Sequence, residues 1–142
     1  VTLDVAVLHD AALAVLMTTT NLDVFDGSVD DAGQGSVRMD PDGRAHMYAV
    51  LYVSPGRNIP GNLTGAPSHL AWSFQVTAAG GDVNRVLTAA KKVRSALTGV
   101  RLTTSGGLVN ESTDPGPIRQ DLAVSPSRWY VPILFDVFNV QP

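Results

Sequence analysis

Residues 70–99, LAWSFQVTAAGGDVNRVLTAAKKVRSALTG, narrow the possible folds more than any other stretch. Leu70, Trp72, Phe74 and Val76 alternate with Ser73, Gln75 and Thr77, the period of a strand with one buried face. Gly80-Gly81 breaks the pattern. From Asp82 the period changes. Val83, Val86, Leu87, Ala90, Val93 and Leu97 follow helical spacing and predict an amphipathic helix over about 82–98. Asp82 stands where an N-cap is wanted and Gly99 where a left-handed C′ residue is favoured. A strand that passes at once into such a helix calls for a sheet with a helix laid on it. No catalytic motif sits at the junction.

The flanking segments extend this plan. Val5, Leu8, Ala12, Val15 and Leu16 predict a first helix over about 4–17, capped by Thr2 or Asp4 and ended by the run Thr18-Thr19-Thr20-Asn21. LDVFDG then reads as a short extended piece closed by an Asp-Gly turn. Asp40-Pro41-Asp42-Gly43 carries turn chemistry and predicts a hairpin. Its returning strand, about 45–53, is apolar on both faces and so lies centrally in a sheet, or under helices on one side and a neighbour on the other. Residues 54–69 and 104–127 are rich in Pro and Gly and read as long irregular loops, the second preceded directly by a short strand at 100–103. Residues 128–140, RWYVPILFDVFNV, predict a long final strand in which Pro132 marks an edge or a bulge. The expected fold class is α+β: a mostly antiparallel sheet flanked by two main helices, with long loops, in a single domain over 1–142.

Composition removes several functions. There is no cysteine, hence no disulfide, thiolate nucleophile or cysteine metal site. His9, His46 and His69 are isolated, with no HExxH spacing. The Asp-rich tract from Asp26 has Val37 where a calcium loop needs its last Glu, and Arg38 replaces the third Gly of a dinucleotide fingerprint. No P-loop or G-x-S-x-G elbow is present. These readings call for no metal, no cofactor and no catalytic residues, and an enzyme is not expected. An apolar run of membrane-spanning length is absent, and the N-terminal stretch makes a poor signal peptide. A soluble, non-secreted chain without a membrane partner is expected.

Charge is unevenly placed. Residues 1–42 carry a local −7, residues 43–101 a local +6 and residues 102–142 a local −2. The acidic and basic segments either pair within the chain or between neighbouring copies. A basic helix surface raises the question of nucleic acid, but a pI near 5.4 and the lack of aromatics among the bases argue against specific binding.

The order of elements resembles the tail terminator (tail completion) proteins of long-tailed bacteriophages. LDVFDG is similar to the segment after the first helix of that family, "rVyDg". WSFQVTAAGGDVNRVLTAAKKVRSALTG is similar to its strand and helix, "A..va..vr.aL.g", and RWYVPILFDVFNV to its closing strand. The two Pro/Gly-rich loops depart most from the family pattern. The resemblance implies a ring, expected to be hexameric, that caps the tail tube, stops its polymerisation and presents a head-proximal joining surface. Its implied partners are copies of itself, the major tail tube protein and head-completion or neck proteins. DNA would pass through without sequence-specific binding. The implied place is the head-proximal end of the virion tail, assembled in the host cytoplasm. A head-closure or other neck connector, and a small non-enzymatic accessory binding protein, remain alternatives. The candidate contact residues are Arg85, Lys91, Lys92, Arg94 and Arg101 on the basic side and Asp26, Asp30 and Asp31 on the acidic side. Arg57, Asn58, Ile59 and Arg119 join them from the two loops.

Overall fold

The computed structural model describes residues 4–29, 37–60, 67–104 and 106–140, with backbone only at 58–60, 67–69 and 138–140. Along the chain run α1 (Val5–Met17), β1 (Asp23–Asp26), β2 (Tyr48–Val53), β3 (Arg57–Pro60) and β4 (Pro67–Gly80). They are followed by α2 (Val83–Leu97), β5 (Val109–Glu111), β6 (Arg119–Asp121) and β7 (Arg128–Val140). The class is α+β. One mixed, mostly antiparallel sheet has the order β1-β2-β4-β7-β5, with β3 also on β4 and β6 also on β7.

Length explains this order. β4 has 14 residues and β7 has 13, and they pair from Leu70↔Val140 to Gly80↔Trp129. Each then has an outer side long enough for two short strands placed end to end. β2 and β3 share that of β4, and β5 and β6 share that of β7. The segments at 54–69 and 104–127 are therefore not simply irregular, as their composition suggested. Each contributes short strands because a long neighbour offers unpaired backbone groups, a long-range effect that local composition does not carry.

Pro132 is resolved by the same layout. Ser112 N donates to Leu134 O at 2.8 Å, so the even-numbered residues of β7 aim their backbone groups at the β5/β6 side. Pro132 lies between the residues paired with β6 and those paired with β5. Its missing N–H faces a gap, and an interior strand tolerates it there.

Both helices lie on one face of the sheet. Leu8, Ala12 and Leu16 of α1 join Val86, Ala89, Ala90, Val93 and Leu97 of α2 in one core with Leu51, Trp72, Phe74, Val76, Ile133 and Phe135. Trp72 and Phe74 stack at 4.7 Å and Phe74 and Phe135 at 5.4 Å. The Trp72 indole N–H donates to Ser54 O at 2.8 Å, which satisfies its one polar group. Of the two candidate caps of α1, Asp4 is the one that caps it, and Asp82 and Gly99 stand at the ends of α2 as expected. Asp4 accepts from Ala6 N, Asp82 accepts from Arg85 N at 2.8 Å, and Gly99 has φ +78°. The buried stripe of α2 is rotated from expectation: Ala89 lies inside, whereas Val83 and Leu87 are 39% and 54% exposed.

The predicted hairpin is present only at its tip. Gly43 N donates to Asp40 O at 2.9 Å, and the arms share one isolated bridge, Met39↔Ala45. β2 instead pairs with β1 in parallel on one side and with β4 on the other. A parallel neighbour requires a long crossover. Part of it packs on the opposite face of the sheet, where Val29, Val37 and Ala45 meet Tyr48, Val50 and Ala79 in a second, smaller core. Residues 100–103 likewise form a single bridge, Arg101↔Leu108, rather than a strand.

Close approach at Gly81 holds the crossover down. A Cβ there would lie 2.5 Å from Arg44 Cβ and 2.6 Å from Ala45 N, whereas at Gly99 nothing lies within 4 Å. Gly81→Ala must displace backbone and is expected to cost about 1–3 kcal/mol. Gly99→Ala meets only the left-handed strain of about 1–2 kcal/mol. Urea denaturation of both variants checks this, and the larger loss is expected at Gly81.

Candidate interaction surfaces

The alternation of each strand leaves a second face on which, among the described residues, no helix packs. On it, Tyr48, Val50 and Tyr52 of β2 stand beside Gln75 and Thr77 of β4, and these beside Tyr130, Pro132 and Leu134 of β7. The register forms rows across the strands: Val50–Thr77–Pro132, then Tyr52–Gln75–Leu134, then Ser73–Asp136–Asn110. The crossover and β6 wall one end, with Val29, Asp121 and Arg128 at the margin, and enclose a groove of about 740 Å³ open to solvent. The Arg128 guanidinium lies 5.8 Å over the Tyr48 ring, and Phe25 meets the same ring edge-on at 5.8 Å. Tyr52 and Leu134 are each 41% exposed. Val50 is buried in the second core and Thr77, Gln75 and Pro132 are half-buried, so the exposed apolar surface of the groove centres on Tyr52 and Leu134. Exposed apolar surface of this kind is associated with protein contact sites.

The predicted basic and acidic residues fare differently. Arg85 is drawn onto three carboxylates of its own subunit. Its Nε bonds Asp40 at 3.0 Å, its Nη2 bonds Asp42 at 2.7 Å and its Nη1 bonds Asp82 at 2.6 Å. Arg44 also reaches Asp82 at 3.1 Å, and His46 Nδ1 lies 2.9 Å from Asp40. Arg94 makes a two-oxygen contact with Glu111, its Nη2 at 2.8 Å, and Lys92 Nζ donates to Thr20 O at 2.6 Å. Arg101 donates to Gly106 O. Asp26 meets His9 Nε2 at 2.8 Å, with Asp10 at 2.9 Å from the other ring nitrogen. Much of the charge division between the first third and the basic segment is thus satisfied inside the subunit. Lys91, Arg57 and Arg119 are exposed, and no ion pair engages Lys91 or Arg119 among the described residues. Asn58 and Ile59 lie on β3, paired with Leu70 and His69. Asp30 and Asp31 lie outside the described residues.

The Arg85 cluster has a clear electrostatic sense. The hydrogen bond from Arg85, then that from the Arg44 backbone N–H, hold the Asp42 carboxyl below the ordinary carboxylate value. The Arg85 backbone N–H does the same for Asp82 against a smaller burial effect. Burial pushes Asp40 up, but hydrogen bonds from His46 and Arg85 together outweigh it and its pKa is lowered too. Asp42 chiefly, with Asp40 and Asp82, raises Arg85. For His9, the hydrogen bond to Asp26 and then that to Asp10 raise the pKa.

The sequence shows several strands to be apolar on both faces but does not reveal that their second faces meet in one groove. The pairing of Arg85 with Asp40 and Asp42 also escapes it, since 45 and 43 residues separate the partners. Among the described residues no group of three or more His, Asp or Glu side chains is arranged to hold a metal ion. In comparisons with known proteins, no family model and no curated protein matches the chain.

Three carboxylates with lowered folded pKa contribute stability that is present above their unfolded value, about 3.9, and is lost as pH falls through the folded values. Arg85→Gln is expected to lower the urea midpoint at neutral pH. The gap from the parent chain should narrow as pH is taken from about 5 to about 2, because the parent then loses what the variant already lacks. Denaturation at a series of pH values checks both.

Proposed function

We propose that this chain is a structural, non-enzymatic subunit of a long-tailed bacteriophage: a tail terminator that assembles as a ring on the tail tube, stops its growth and forms the head-proximal joining surface. The observation that carries this reading is the half-covered sheet. Two helices close one face, while on the other Tyr52 and Leu134 stand exposed in one row. Burying such a face removes apolar surface from water at roughly 25 cal/mol per Å², a strong drive toward association. The likeness of the 22–27, 72–99 and 128–140 segments to the terminator family supplies the type of assembly. The observed α+β fold is compatible with that likeness, and the exposed Arg57 and Arg119 leave charge available for contacts with tube or neck proteins.

The reading makes a direct demand on virion assembly. Electron microscopy of lysates from a phage lacking this chain is expected to show overlong, headless tubes. Normal-length tails beside filled but unjoined heads would instead assign the chain to the neck as a connector. Intact infectious virions would remove the structural role. In solution, the chain with its tube protein is expected to form a particle containing six 15.0 kDa subunits.

A further inference from the structure

We infer that the bare sheet face of one subunit receives the Val83–Leu87–Lys91 edge of α2 from a second copy of the chain, in a head-to-tail contact. The inference rests on the ring reading above and specifies which surfaces meet.

The edge has the right chemistry. Val83 and Leu87 are the large apolar residues of α2 that the subunit's own core leaves exposed, and Lys91 is the next residue on the same line. It is exposed and carries no ion pair among the described residues. Within one chain this edge belongs to the helix layer, whereas the groove lies across the sheet. A subunit cannot fill its own groove with it. Two different patches on opposite sides of a subunit produce a heterologous contact, which closes as a ring when the rotation allows.

The spacing matches as well. Residues four apart on a helix advance about 6 Å, and same-face residues two apart on a strand advance about 6.7 Å. Val83 on the Pro132 row therefore places Leu87 on the Tyr52–Gln75–Leu134 row and Lys91 on the row of Asp136. Asp136 forms no ion pair within its own subunit among the described residues. At the opposite end Arg119 is paired in register with Tyr130 and lies on the same face. The cation of the edge thus meets the acidic end of the groove in one orientation only. Reversing the helix would bring Lys91 toward Arg119.

The absence of cysteine makes the contact directly testable, because each introduced thiol is unique. Full-length Gln75→Cys and Leu87→Cys chains are mixed, assembled and oxidised, with particle mass measured in parallel. Disulfide-linked dimers are expected from the mixture and not from either variant alone. Lys91→Glu is expected to weaken self-association roughly tenfold, and Asp136→Lys in the same chain to restore it. Dimers from Leu87→Cys alone would show a symmetric helix–helix contact and overturn the proposal. So would oligomers of unchanged mass in which the mixed thiols do not link, although the ring itself would stand. A chain that stays monomeric at high concentration and beside its tube protein would overturn the ring reading and this contact together.

Discussion

The antiparallel ladder between β4 and β7 is the constraint on which the rest of the structure depends. It joins residues 67–80 to the last strand, and every other strand except β1 pairs directly with one of these two. Its helix-side residues supply Trp72, Phe74, Val76, Ile133 and Phe135 to the main core. Its other side supplies the floor of the groove. Because successive side chains of a strand point to opposite faces, the register that packs the core also decides which residues are left bare. Core and contact surface are two consequences of one pairing.

A second constraint sits at the end of that ladder. Gly80-Gly81 lets the chain turn from β4 into α2 while the crossover passes close by, with Gly81 N donating to Ala45 O at 2.9 Å. Arg85, one turn into the helix, then gathers Asp40, Asp42 and Asp82. The short acidic turn is thereby tied to the helix N-terminus, and the described part of the crossover covers one end of the second sheet face, while Tyr52 and Leu134 stay exposed. Arg85, Arg94 and Arg101, among the candidate contact residues, also bond within the subunit. The exposed apolar residues Tyr52 and Leu134 and the exposed Lys91 and Arg119 are left outside this network.

Both helices, their caps and the strands at 70–78 and 128–140 were legible in the sequence, because each rests on a local period or a local capping geometry. The same holds for the turn at 40–43. What local pattern misjudged was pairing. Residues 57–60, 109–111 and 119–121 carry Pro and Gly nearby and weak alternation, yet become strands beside longer neighbours. The arms of the 40–43 turn suggest a hairpin, yet the returning strand joins β1 and β4. Val83 and Leu87 fit a helical stripe by spacing, yet the direction from which the sheet approaches leaves them outside.

The sequence by itself determined the class of elements, the strand–helix junction at 80–82, the cap at Asp82 and the left-handed Gly99, and narrowed the cap of the first helix to Thr2 or Asp4. These depend on backbone and side-chain preferences within a few residues. Only the tertiary structure decided that Arg85 is an internal tie, that Pro132 faces a gap and that Tyr52, Gln75 and Leu134 form one row. Those facts depend on register and on which face each element turns to its neighbour. Both come from packing residues far apart in the chain, where local preference carries no information.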